Sequence, residues 1–312
     1  MTELETITAA LAASGGGAVL ATLVRVDGSA YRGPGARMVV LADGRAIGAI
    51  SGGCLEQDVR AHAEQVRAAG RPRLVSYDLT RDDDAPWGLG MGCNARLDVL
   101  LEPCPGGVPA WIADLNAAQA RREAVVLATR YEGEPLGKRA LRVLPDGVSD
   151  RTRAAEGVLH EYLPPPIAVV ACGDGPDTAP LVDLATALGW HARAVGKDAH
   201  LGALDPRSAA VVMTHHYARD LALLEELLPS SAGYVGVLGP RARTERLLAD
   251  ARASGVHVGD QARARLHAPV GLDIGAETPQ EIALAIAAEV RAVFAGREGG
   301  PLAHRAGPIH AR

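Results

Sequence analysis

Residues 167–180 read IAVVACGDGPDTAP: six apolar residues, then glycines, aspartates and a proline, then the start of a helical pattern. So short an apolar run between turn signals fits a strand buried on both faces, and glycines at its carboxyl end either let backbone approach a ligand or merely pack a tight turn. Downstream the alternation continues with a helix over about 176–188, HARAV at 191–195, AAVVMT at 209–214, a helix over 217–228, YVGVLG at 234–239 and a helix over 241–253. Strands alternating with helices of this length predict an α/β fold with a doubly wound parallel sheet of Rossmann type. The last helix has the clearest start, with Thr278 as N-cap, Pro279 at the first helical position and Glu281 at the third, a capping-box pattern.

Upstream, Pro164–Pro166 mark a domain boundary, because the residue before each proline is pushed out of helical conformation and few contacts cross such linkers. The expected organisation is a β-rich domain over 1–163, the parallel-sheet domain over 164–295 and a flexible tail over 296–312. In the first domain AVLATLVRV (18–26) and ARMVVLAD (36–43) read as a hairpin around the decorated loop DGSAYRGPGAR (27–37). AIGAI (46–50) is a third strand, followed by a helix carrying Leu55, Val59, His62 and Val66 on one face, with Cys54 in its first turn. RPRLVSYDL (71–79) and ARLDVLLEP (95–103) are further strands, and a helix near 109–121 precedes strands near 124–130 and 139–144. No internal repeat is evident along the chain.

Composition excludes several classes of function. The 312 residues exceed what one core usually organises, and 48% hydrophobic with 22% charged residues is a folding composition rather than a disordered one. A formal net charge of −5 with only two lysines, Lys138 and Lys197, leaves no basic footprint for nucleic acid. No apolar run approaches the ~20 residues of a spanning helix, so membrane insertion is not expected. The four cysteines form no C-x-x-C pair and follow no secretory signal, which predicts reduced thiols in a cytoplasmic protein.

Several residues stand out as carriers of chemistry. Gly173 and Gly175 give a G-x-G spacing ahead of a helix, with Thr178 where a third glycine would stand. The position for a ribose-binding acid holds Gly196, while Asp174 and Asp177 bring negative charge to a phosphate turn, and both features argue against NAD(P). Cys54 follows Gly52 and Gly53 at a helix start, where a macrodipole favours thiolate. Cys93 lies in WGLGMGCN (87–94) beside Asn94, whereas Cys104 and Cys172 have the settings of structural residues. Thr214 and His215 open THHYARD (214–220) at the carboxyl end of a parallel strand, the edge where open α/β sheets bind ligands. Asp220 reads there as a helix-start charge, and the two histidines lack companions at metal-ligand spacing. Arg32 and Arg37 flank the glycine-rich loop and have the chemistry of an anion clamp.

Five ordered blocks, SGGCLE (51–56), WGLGMGCNARLDVLLEP (87–103), VVMTHHYARD (211–220), YVGVLGPRAR (234–243) and APVGLDIGAETPQEIALAIAAEV (268–290), together resemble the XdhC/CoxI family. These are accessory proteins of xanthine dehydrogenase and related molybdenum hydroxylases. The resemblance implies a CoxI-like first domain and a Rossmann-type second one. It also implies a chaperone that binds the molybdenum cofactor (molybdopterin), protects it during sulfuration and delivers it to a hydroxylase such as xanthine dehydrogenase. A cysteine desulfurase and a second copy of the chain, as homodimer, complete the expected partners. The family's cysteine positions fall on Cys54, as a molybdenum ligand or as a relay for incoming sulfur, and on Cys93. Its T-H motif falls on Thr214 and His215, and its later glycine turns on Gly236, Gly239, Gly271, Asp273 and Gly275. With Gly52, Gly53, Asn94, Arg32, Arg37, Gly173 and Gly175, the two cysteines and the T-H pair form the expected cofactor site at the seam of the two domains. Pro176, Gly196, Pro240 and His216 depart from the family pattern. No complete set of nucleophile, base and orienting residue is legible, so a turnover enzyme is not expected. The alternatives are an NAD(P)-dependent oxidoreductase using the second domain and a pure interaction scaffold.

Overall fold

The computed structural model describes residues 2–80, 94–145, 148–196 and 200–305, which divide into two compact units, Thr2–Pro165 and Pro166–Arg305. Among the described residues no helix is long and apolar enough to cross a membrane.

The first unit opens with helix α1 (Glu3–Ala13), started by a Thr2–Glu5 capping box, an element that the low periodicity of its sequence hides. Strands β1 (Ala18–Ser29), β2 (Arg37–Val40) and β3 (Ala46–Gly48) lead to helix α2 (Glu56–Ala69), then β4 (Arg73–Asp78) and β5 (Asn94–Cys104). They form an antiparallel sheet in the order β3-β2-β1-β5-β4. Ala18–Val24 of β1 are buried without interruption because both faces are covered. Val19, Ala21 and Leu23 pack towards α2, and Ala18 and Leu20 pack against α1 and helix α3 (Ala110–Ala120). Beyond a bulge at Leu23–Arg25 the strand runs on to Ser29, so three residues expected in the loop pair instead with the start of β5.

The second sheet of this unit contains β6 (Val125–Arg130), β7 (Arg139–Val143), β8 (Arg153–Ala155) and β9 (Val158–Leu163), in the order β7-β6-β9-β8. This order repeats β2-β1-β5-β4 of the first sheet. The sequence VLAT occurs at 19–22 on β1 and at 126–129 on β6, and a Gly-x-Arg at 35–37 and at 137–139. The pairings correspond: Leu20 faces Glu102 and Thr22 faces Arg37, as Leu127 faces Glu161 and Thr129 faces Arg139. The chain therefore does contain an internal repeat, which its short matching segments and unequal loops conceal. The arginines cross between the sheets. Arg37 Nη2 pairs with Glu161 Oε2 at 2.6 Å, and Arg139 Nη1 and Nη2 grip Glu102 at 2.6 and 2.5 Å. Both guanidiniums lie over the ring of Trp111 from α3, at 5.3 and 4.5 Å, where the π face attracts them. Gly35 and Gly137, both at positive φ, are the residues against which the two carboxylates pack, and a Cβ at either would collide with a carboxylate oxygen.

The second unit is a parallel sheet of β10 (Ala168–Cys172), β11 (His191–Val195), β12 (Ser208–Val212), β13 (Tyr234–Val237) and the two-residue β14 (Leu266–His267), ordered β11-β10-β12-β13-β14. Alternate strand residues face opposite helix layers, as the period of two requires. Val169, Ala171, Ala209 and Val211 meet α4 (Thr178–Ala187) and α8 (Pro279–Phe294). Val170, Cys172, Ala210 and Val212 meet α5 (Tyr217–Leu227) and α6 (Arg241–Ala253). The short α7 (Asp260–Ala264) and β14 carry too few residues to show a period in the sequence, and a 3-10 turn covers Leu302–His304.

Tyr234 and Glu289 tie β13 to α8. The Tyr234 hydroxyl donates to Glu289 Oε2, the Gly271 amide donates to the same oxygen at 2.8 Å, and His267 Nδ1 lies 3.1 Å from Oε1. Burial opposes the charged form of Glu289, yet hydrogen bonds from His267, Tyr234 and Gly271 outweigh it and hold the carboxyl below its ordinary 4.5. A carboxyl depressed on folding stabilises the protein above its unfolded value and loses that contribution as pH falls through its folded one. The second unit is therefore expected to weaken as pH drops below 4.5. Urea unfolding across that range should show a flatter acid limb for Glu289→Gln.

Candidate functional site

Two groups of expected site residues are placed by the structure, one in each unit. In the first unit Ser51–Leu55 form a tight turn ahead of α2. Cys54 stands before the N-cap, Leu55, and so outside the first turn of the helix. The turn is organised by Ser51 and Glu56, neither of which stands out in the sequence as a carrier of chemistry. Ser51 Oγ donates to Glu56 Oε2 at 2.5 Å and accepts from the amides of Gly53 and Leu55, both at 3.2 Å. The Ser51 amide donates to Glu56 Oε1 at 2.9 Å. Burial alone would raise the Glu56 carboxyl, but the Ser51 hydrogen bonds outweigh it and keep it below the usual range. The serine and glutamate five residues apart in SGGCLE are the available signal, since such side chains cap helix starts.

Cys54 Sγ lies 3.4 Å from Ser51 Oγ and is half-buried. Gly53 has φ +112°, and a Cβ on Gly52 would meet the Tyr31 ring at 3.7 Å, so the Cys54 turn adjoins the loop that follows β1. Ser29, at the end of β1, pairs with Asn94, the first residue of β5. The cysteine turn, the Tyr31 loop and the backbone entry to β5 thus gather at one end of the first sheet. Cys93 lies outside the described residues.

Both arginines are engaged by carboxylates, and only the buried one is turned away from an anion-clamp role. Arg32 Nη2 donates to Glu3 Oε2 at 2.6 Å in a half-exposed pair. Arg37 is buried against Glu161 and donates through Nη1 to the Gly35 carbonyl, so its hydrogen-bonding capacity is turned inward. Cys104 and Cys172 are buried, and desolvation pushes their thiols up to about 11 and about 12. A thiol reacts as its thiolate. Brief iodoacetamide treatment of the folded protein is expected to label Cys54 and spare Cys104 and Cys172, with peptide mass spectrometry as the check.

In the second unit the sheet order places a topological switch point between β10 and β12, the crevice where open α/β sheets take ligands. Gly173 is required there, because a Cβ would stand 2.6 Å from the Met213 carbonyl oxygen. Opposite it, Thr214 Oγ1 donates to Asp220 Oδ1 and accepts from the His216 amide at 3.1 Å. Asp220, fully buried, is also paired with Arg243 of α6 at 2.6 Å. It lies in the first turn of α5, where the sequence leads it to be expected, and it also anchors the 214–216 turn; nothing local marks Arg243, because its partner is remote in sequence. His215 has φ +57°, and its Nε2 lies 3.1 Å from Asp177 Oδ2. Arg219 is 3.7 Å from Asp174. Gly196 directly follows the last residue of β11, so the ribose position carries no side chain. Gly236 is needed because a Cβ would stand 2.5 Å from Val270 Cγ2, and Gly239 and Gly271 both have positive φ. Among the described residues no three His, Cys, Asp or Glu side chains gather as a metal-binding group.

Residues 169–290 match the XdhC Rossmann domain and residues 11–78 match the XdhC and CoxI family. A Bacillus subtilis relative, described as a probable subunit of xanthine dehydrogenase, is 30% identical over 88% of this chain and 92% of its own length. The Escherichia coli molybdenum cofactor insertion chaperone PaoD is 29% identical over 90% of this chain and 84% of its own. A solved structure from Bacillus halodurans, described as a xanthine dehydrogenase, superposes with a TM-score of 0.78 at 28% identity, covering 96% of this chain and 97% of that one. The antiparallel first unit, the parallel second unit and these matches lead to one assignment: the chain belongs to the XdhC and CoxI family.

Proposed function

We propose that the protein is a chaperone of the molybdenum cofactor, holding it as cargo and delivering it to a xanthine dehydrogenase-type hydroxylase. The observation that carries this reading is the half-buried Cys54 on a glycine turn fixed by Ser51 and Glu56, beside the Tyr31 loop and the start of β5. Similarity along nearly the whole chain to a cofactor insertion chaperone supports it. A thiolate is a soft donor suited to a transition metal, and Gly53, with nothing within 4 Å of where a Cβ would stand, leaves room for a bulky anionic pterin to approach. In this reading Cys54 ligates molybdenum or relays incoming sulfur, Cys93 and Asn94 border the same cargo, and Arg32 can exchange its exposed partner Glu3 for an anion. Arg37 has no part in it. Gly173, Gly175, Thr214 and His215 belong to the second unit's crevice. A cysteine desulfurase, a homodimeric state and a cytoplasmic setting accord with this role.

The decisive comparison is cofactor retention and delivery by full-length Cys54→Ala and Cys104→Ala. Loss of a metal ligand or of its support typically costs about 10–100-fold in affinity, so Cys54→Ala is expected to fall by that order while Cys104→Ala, altered only inside the fold, keeps its capacity. Equal behaviour of the two variants would sink the proposal.

A further inference from the structure

The crevice between β10 and β12 already has an occupant from the chain itself. A Cβ built on Gly175 would lie 3.4 Å from His215 Cδ2 and 3.7 Å from Nε2, so the imidazole rests on the glycine whose bareness would otherwise admit a diphosphate. Two features show that this placement is held rather than accidental. His215 takes a left-handed backbone conformation, which a non-glycine residue keeps only when its surroundings impose it. The imposition comes from Thr214 and the His216 amide, fastened to buried Asp220 and through it to Arg243. On the other side, Asp177 occupies the N-cap position of α4 but makes no side-chain cap there, and its carboxylate is spent on His215 instead.

We propose that His215 is a selectivity residue, locked by Asp177 over Gly175, that bars nucleoside diphosphates and dinucleotides from the switch-point crevice. The bar has two parts. The imidazole fills the space a diphosphate would take, and the carboxylate beside it repels the same anion. Rejection of this kind is built from clashes and unfavourable charge against the wrong ligand. It explains how a sheet of dinucleotide-binding topology can serve a chain without the ribose-binding acid, and it holds whether or not the first unit carries a molybdenum cofactor.

Calorimetric titration of the full chain with ADP and with NAD⁺ tests the inference. The wild type should bind both weakly, and His215→Gly combined with Asp177→Asn should bind ADP at least about tenfold more tightly. His215→Gly is compatible with the observed positive φ, and His215→Asn, which also tolerates that conformation, carries the test should the glycine variant fold poorly. His191→Gly, at the amino end of β11 and away from the crevice, should leave affinity unchanged. No gain in the double variant and in His215→Asn, an equal gain in His191→Gly, or wild-type binding as tight as the double variant would each overturn the proposal.

Discussion

Replacing Glu161 with alanine should destabilise the first unit by about 3–5 kcal/mol, because it leaves a buried guanidinium without its counter-charge. The Arg37 and Glu161 side chains are only 7% and 2% exposed, so water cannot take over the lost partner. Removing both charges together is a different experiment. Arg37→Met with Glu161→Leu fills the space with apolar atoms and should restore most of the stability, as buried pairs replaced whole commonly do. Urea unfolding monitored by circular dichroism gives both numbers. A loss below about 1 kcal/mol for Glu161→Ala, the size of a surface pair, would mean that Arg37 reaches solvent and the two sheets are less tightly joined than described.

Asp220→Ala is expected to be the most damaging single change in the second unit, at about 3 kcal/mol. It strands Thr214 and Arg243 at once, but Arg243 is 22% exposed and can turn to water, which sets the cost at the lower end for a broken buried pair. Asp220→Asn retains the shape and an acceptor for Thr214, so it should cost less and separate the charge from the hydrogen bond. Hydrogen exchange at the His216 amide, which donates to Thr214 Oγ1, should speed up in Asp220→Ala before global unfolding. An unchanged amide would show that the turn is held by other means.

The parallel sheet is legible in the sequence because its signals are local. IAVVAC, the Thr278 capping box and the glycines at strand ends each act over a few residues, and the structure places β10, α8 and the Gly173 close approach where those signals stand. The losses have a common physical cause. β8 and β14 are very short, β9 sets His160 and Glu161 among its apolar residues, and α1 has a weak polar–apolar contrast, so none presents a clear period to be read. Cys54 is conspicuous between its glycines, but the Ser51–Glu56 clasp that shapes its turn shows only through capping chemistry, which hydrophobic periodicity does not register. Arg37 has the sequence setting of an anion clamp because Glu161, 124 residues away, cannot be paired with it from sequence alone. Asp220 is legible as a helix-start charge on α5, but its pairing with Arg243 is not, since that partner arrives on another helix.

The crossed arginine–glutamate pairs around Trp111 make the first unit internally pseudo-symmetric. Each sheet gives an arginine and receives one, at corresponding strand positions. Reciprocity of that kind is the hallmark of an isologous contact, in which two copies of one module present the same surface to each other. The first unit carries such a contact inside a single chain, with VLAT and Gly-x-Arg at corresponding places in its two halves. Against that background the departures from symmetry are informative. Between β2 and β4 the first half holds β3, the Cys54 turn and α2, whereas the described residues between β7 and β8 hold no helix. The thiol thus stands on elements that, among the described residues, only one of the two halves carries, while the other half closes the scaffold.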